Sequence, residues 1–161
     1  MQSKVKIVPA KEEHFKAAGD IAVKAWTPIR EEFKRLLGED IYESFFTNWQ
    51  EKKKKDIIES LNLGRGYIAM VENQVAGFIS YGVDEENKTG EIHENAVDSD
   101  FSGMGIGTMM YKFVLDKMRE EGVRSVTVTT GGDDAHAPAR HSYEKAGFTK
   151  YLPSVKYYMN L

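Results

Sequence analysis

The sequence has 161 residues, 41% hydrophobic and 29% charged, which suits one globular domain with a sizeable core. A net charge of -3 argues against a general nucleic-acid or membrane binder, and the lack of cysteine excludes disulfides, thiolate nucleophiles and cysteine metal sites. No apolar run reaches the roughly 18 residues of a bilayer span, and Met1-Gln2-Ser3-Lys4 begins no signal peptide, so a cytoplasmic protein is expected.

Residues 5–8 alternate with lysine and stop at Pro9, a short first strand. From Lys11 the apolar residues Phe15, Ala18, Ile21, Ala22, Ala25 and Trp26 recur at helical spacing. Pro28 is expected to break or kink that helix, because it pushes Thr27 away from the α region. A second helical stretch, 31–37, ends at Gly38, and a third runs over about 40–61. The third carries Lys52, Lys53, Lys54 and Lys55. Four consecutive residues cover all sides of a helix and nearby acids dilute the charge, so this run reads as a solvated face rather than a phosphate-binding patch. His14 and His141 read as surface residues on helices.

After Gly66 the period changes to two. Residues 67–71 and 75–83 read as a hairpin around Asn73, and a polar turn closed by Gly90 leads into a strand over 91–97. A helix over about 108–121 comes next, with an apolar stripe of Met109, Met110, Phe113, Val114 and Met118 and a stop at Gly122. Residues 123–130 form a β-branched strand, 138–146 a short helix, and 151–161 a last strand or two. The final strand could pair with another chain's edge, one route to a homodimer. This order is a mixed α/β fold, in which a right-handed crossover makes strands 91–97 and 123–130 parallel neighbours.

The chemistry centres on residues 97–122. Gly103, Gly105 and Gly107 lie between a strand and a helix, where the backbone can approach a ligand closely and leave its amides pointing outward. With the free amides and positive dipole end of the helix they form an anion cradle suited to a phosphate or pyrophosphate. The dinucleotide fingerprint does not fit, since the spacing is Gly-x-Gly-x-Gly, and a Walker loop does not fit, since Gly107-Thr108 has no lysine between. Residues 102–107 do resemble the Gln/Arg-x-x-Gly-x-Gly/Ala loop of the GNAT acyltransferases, with Ser102 in place of the usual Gln or Arg. Downstream, Ala139, Tyr143, Gly147 and Phe148 resemble that family's Ala-x-x-x-Tyr-x-x-x-Gly-Phe segment. The specific motifs cover residues 68–148, and the N-terminal third is similar by element order only.

The resemblance implies an α/β domain with a mixed, mostly antiparallel sheet, a splayed parallel strand pair and flanking helices. It also implies transfer of an acetyl group from acetyl-coenzyme A to a primary amine of a small molecule, peptide or protein, with no metal. Ser102, Gly103, Met104, Gly105, Ile106, Gly107 and Thr108 would hold the pyrophosphate, the backbone of Val97 and Ser99 the pantetheine arm, and Tyr143 would protonate the leaving thiolate. His136 stands where the family often has an Asn that contacts the coenzyme or orders the loop. Trp26, Ile29, Phe33 and Tyr42 are candidates for the acceptor wall, or else they are core.

Transfer to an amine also needs a proton acceptor. Glu91, His93 and Glu94 are the candidates, Glu91 first. Glu91 and His93 share one strand face, while Glu94 points to the other unless a bulge intervenes. Acidic loops at 84–86 and 133–134 would suit a cationic amine. A non-catalytic coenzyme A sensor or a nucleotide-binding regulatory module would use the same cradle without turnover.

Overall fold

A computed structural model describes residues 4–161. Five strands, β1 (Val5–Pro9), β2 (Gly66–Val71), β3 (Gln74–Asp84), β4 (Thr89–Val97) and β5 (Ser125–Val128), lie in sequential order in one sheet. The first four pair antiparallel, and β4 and β5 pair parallel. Pro9 closes β1 at the sheet's edge, where its missing N–H removes no ladder bond on the outer side.

Helices α1 (Glu12–Leu37) and α3 (Trp49–Asn62) cover one face of the sheet. There Ala18, Ile21, Ala22, Ile57 and Leu61 pack on Ile68 and Phe78. Helix α4 (Ile106–Glu120), with α5 (Ala137–Ala146), covers the other face through Ile106, Met110, Val114, Met118 and Tyr143 against Ala69, Ile79 and Ile92. Each large apolar side chain so buried contributes about 1.5–3 kcal/mol. Met109, expected in the stripe, is 41% exposed, because the buried face is set by Ile106, Met110 and Val114.

Several expectations are corrected. Pro28 neither breaks nor ends α1. It forfeits one backbone bond, while the Ala18, Ile21 and Ala22 face stays packed on α3 and the sheet, and the Thr27 hydroxyl donates to the Val23 carbonyl at 2.7 Å. The third helical stretch is two helices, α2 (Glu39–Phe46) and α3, parted at Asn48, whose φ of 56° is left-handed. Asn tolerates that conformation better than most residues. His14 is buried, and its Nδ1 accepts from the Lys11 amide at the start of α1. Residues 151–161 form no strand. Among the described residues no strand edge pairs with their backbone, and only Tyr158 is partly covered, edge-on to Phe45 at 5.0 Å.

Two irregularities in β4 shape its surroundings. Ile79 pairs with Asn95 but Tyr81 with Ile92, so His93 and Glu94 together oppose Ser80 in a bulge of β4. The parallel ladder runs only from Thr89–Ser125 to Ile92–Val128, and beyond Ile92 the two strands part. The far half of β4 therefore has an open edge.

Candidate active site

The loop after β4 makes one 3-10 turn, Ser99–Phe101, then passes through Gly103 at φ 81° and Gly105 at φ 73° into α4. Both glycines would meet open space with a Cβ, so their need for glycine is conformational rather than steric. The first α4 amide to find a carbonyl is that of Met109, which reaches Gly105. Among the described residues, the amides from Gly103 to Thr108 thus have no backbone acceptor, and they gather at the positive end of a 15-residue helix. Ser102 is exposed, and its own amide bonds the Ser99 carbonyl.

The open edge of β4 leads to that loop. The Asp98 amide bonds Ala76 of β3, and successive strand residues turn their polar groups to opposite edges, so those of Val97 face the gap. Ser99 already belongs to the turn, and its carbonyl is taken by Ser102.

Tyr143 of α5 is 8% exposed and stands over this open stretch. Its oxygen accepts from Asn95 Nδ2 at 3.0 Å, while Asn95 Oδ1 accepts from Tyr111 at 2.9 Å. Tyr111, whose own proton goes to Asn95, also lies close enough to act on the Tyr143 hydroxyl. Burial pushes the Tyr143 pKa above the ordinary phenol value, opposed by the polar contacts of Asn95 and Tyr111 and reinforced by the charge of Glu94. Burial likewise pushes up the Tyr111 phenol.

On the opposite face the bulge brings Glu91, His93 and Glu94 to one cleft of about 460 Å³, shared with Asp56 and Ser60 of α3 and Thr129 after β5. His93 Nε2 lies 3.7 Å from Glu91. Its ring occupies the space above Gly82, where a Cβ would come within 2.8 Å. Glu94 is ion-paired to Lys53 Nζ at 3.0 Å.

A family model described as "Acetyltransferase (GNAT) family" matches residues 30–148. The chain belongs to the GNAT acetyltransferase family. It is similar to a mycothiol acetyltransferase of Cellulomonas flavigena, 34% identical over 70 residues that make up 44% of this chain and 20% of that protein. A second, from Sanguibacter keddieii, is 38% identical over 69 residues, 43% of this chain and 21% of its own. The match thus spans about a fifth of these relatives. Among solved structures, PaiA N-acetyltransferase from Thermoplasma acidophilum in complex with coenzyme A shares the fold at a TM-score of 0.67 and 16% identity, over 91% of this chain and 90% of that one. The ribosomal-protein-S18-alanine N-acetyltransferase from Escherichia coli gives 0.65 and 16%, over 92% and 80%.

Within this GNAT chain the N-terminal candidates fall into two groups. Phe33 and Tyr42 both pack on Phe46, with ring centres 5.4 and 5.3 Å apart, and Phe33 lies 6.1 Å from His136. Trp26 lies apart from them under the Lys53 ammonium, 4.0 Å from its ring centre. Ile29 is half-buried on α1. His136 Nδ1 is bonded to Asp133 Oδ1 at 2.6 Å, in a loop that Arg140 ties down through the carbonyls of Gly131 and Asp133 at 2.7 Å each. Gly131 is sterically required there, since a Cβ would fall 2.3 Å from the His136 ring. Two of the acidic-loop residues are committed locally, Asp133 to His136 and Asp84 to its own turn through Asn87.

Sequence reasoning missed Asn95, Lys53 and Arg30. Asn95 carries no spacing signal of its own. Lys53 is buried rather than solvated, because this position of α3 faces Trp26 and Glu94. Lys52 and Lys55 are exposed, as the reading of that run expects.

Proposed function

We propose that the protein transfers an acetyl group from acetyl-coenzyme A to a primary amine by direct attack. The observation that carries this reading is the alignment of three features: the amides of 103–108, the open edge of β4 at Val97, and the Tyr143 hydroxyl held by Asn95 beside that edge. The amides hold the pyrophosphate without any contribution from the residue at 102, and Val97 pairs with the pantetheine amides, with Ser99 supplying its amide. The family model and the coenzyme A complex of a protein with this fold support the same assignment.

Each step then falls to a named group. The thioester supplies the acetyl group and a thiolate leaving group. Tyr143 keeps its proton at neutral pH because burial disfavours the phenolate, and it gives that proton to the departing sulfur. Asn95 fixes the phenol's orientation and partly offsets the cost of the charge that forms on it. The amine loses its proton toward the cleft of Glu91, His93 and Glu94. Glu94 is engaged by Lys53, which leaves the Glu91–His93 pair as the acceptor. The Phe33–Tyr42–Phe46 cluster and Trp26 wall the acceptor, and much of the rate comes from holding amine and thioester together.

Calorimetric titration of the protein with acetyl-coenzyme A, coenzyme A and ATP tests the cradle, and thiol release with a panel of amines tests turnover. Coenzyme binding with amine-dependent thiol release is expected. Tighter ATP binding would instead make the cradle a nucleotide site, and binding without turnover would make the protein a sensor.

A further inference from the structure

Arg30, in the last third of α1, is held in an aromatic cage. Its guanidinium carbon lies 4.8 Å from the ring centre of Phe46 and 5.4 Å from those of Phe33 and Trp49. Ring faces attract a cation but do not accept the in-plane bonds its N–H groups offer. Among the described residues no hydrogen bond or ion pair reaches this side chain, and its Nε is sealed from solvent without a partner. The other partly buried arginines are satisfied: Arg65 holds Glu121 at 2.7 Å, and Arg140 holds two carbonyls. Burial pulls the Arg30 pKa down, against the opposing influence of Tyr42, Tyr158 and Glu94.

The acid whose charge acts on it does not neutralise it. Glu94 is close enough for its charge to act on Arg30, yet its direct partner is Lys53 at 3.0 Å. Glu94 also lines the cleft with Glu91 and His93. The wall thus presents an uncompensated cation on α1 and acids on β4, a pattern complementary to a molecule that carries both charges. Arg30 Nε is covered, so the outer edge of the guanidinium is the one a ligand can reach, and that edge matches a planar carboxylate in a bidentate bond. A phosphate dianion would bring two negative charges to one cation beside Glu94.

We propose that Arg30 anchors a carboxylate of the acceptor, so that the acceptor is an amino acid or a related zwitterion whose amine lies toward Glu91 and His93. This rests on the proposed acetyl transfer to an amine. Anchoring of this kind requires a preference for an acid over its uncharged amide.

The test uses the full chain and a panel of amino acids, each paired with its own carboxamide, read by thiol release from acetyl-coenzyme A. Wild type should favour the acids about ten- to hundredfold in kcat/KM, the range expected of a bond to a charged group. Arg30→Met should bring that ratio to about one through KM for the acids, with the amides changed about twofold or less, and Arg30→Lys should restore part of it. A wild-type ratio of one or below throughout the panel, or an equal loss for acids and amides in a folded Arg30→Met, would overturn the proposal. Should that variant fail to fold, wild type is titrated calorimetrically with 4-methylpentanoate and 4-methylpentanamide, which have no amine to acetylate. Tighter binding of the acid by about tenfold or more supports the anchor, and equal binding overturns it. If no member of this panel releases thiol while other primary amines do, the proposal is overturned; if no amine of either kind does, the acetyl-transfer reading fails, and this titration still decides the role of Arg30.

Discussion

The two halves of the site are built from different materials. The cradle at 103–108 is backbone: two left-handed glycines and the unpaired amides of a helix start, with side chains nearly irrelevant. The opposite wall is side chain, assembled by three helices and a strand: Arg30 from α1, Phe46 from α2, Trp49 and Lys53 from α3, and Glu94 from β4. Backbone recognition suits a coenzyme whose pyrophosphate is the same whatever the acceptor. A side-chain wall can be retuned residue by residue, so the proposed function assigns acceptor specificity to it.

The largest expected effect lies on the backbone side. Gly105→Glu places a side chain at φ 73° and adds a negative charge at an anion site. We expect loss of coenzyme binding by about 100-fold or more, from about 1–3 kcal/mol of strain together with charge repulsion. Calorimetry on the folded variant checks this, and retention of binding would detach the cradle from the coenzyme. Next comes Tyr143→Phe, expected to lower kcat by about 100-fold while leaving coenzyme KM nearly unchanged. An unchanged kcat would move the proton-donating role elsewhere.

On the wall, Lys53→Met removes the partner of Glu94, which is 29% exposed on its side chain. Breaking a fully buried pair costs about 3–5 kcal/mol, and the partial exposure of Glu94 reduces this to about 1–2 kcal/mol, read by thermal or denaturant unfolding. Restoration of that stability by Glu94→Gln in the same chain would show that the unpaired acid caused the loss.

The smallest effect concerns pH. Burial raises the phenols of Tyr81, Tyr111 and Tyr143, so the folded chain holds these protons more tightly than the unfolded one. Their contribution to stability is complete below the ordinary phenol pKa of about 10 and is lost as pH rises through the higher folded values. Melting temperature should therefore fall above about pH 10, and Tyr81→Phe should flatten that fall.

The glycine turn, the helix start after it and the helix that carries Tyr143 were legible in the sequence because they depend on residue type at close spacing. Gly103, Gly105, Tyr143, Gly147 and Phe148 announce a turn, a helix start and a segment by local chemistry alone. Pro28 misled for the opposite reason, since its local preference was overridden by the packing of α1 on α3 and the sheet. Asn48 could have been read, as an Asn between two periodic stretches is a natural break.

The sequence by itself determined the strand and helix periods, the glycine turns and the crossover that sets β5 parallel to β4, because each comes from neighbours in the chain. Tertiary structure alone decided three things: the bulge that turns Glu94 to the side of Glu91 and His93, the pairing of Lys53 with that acid across 41 residues, and the caging of Arg30 without one. Those depend on which helices meet above the sheet, and a one-residue shift in β4 changes the face of every side chain beyond it.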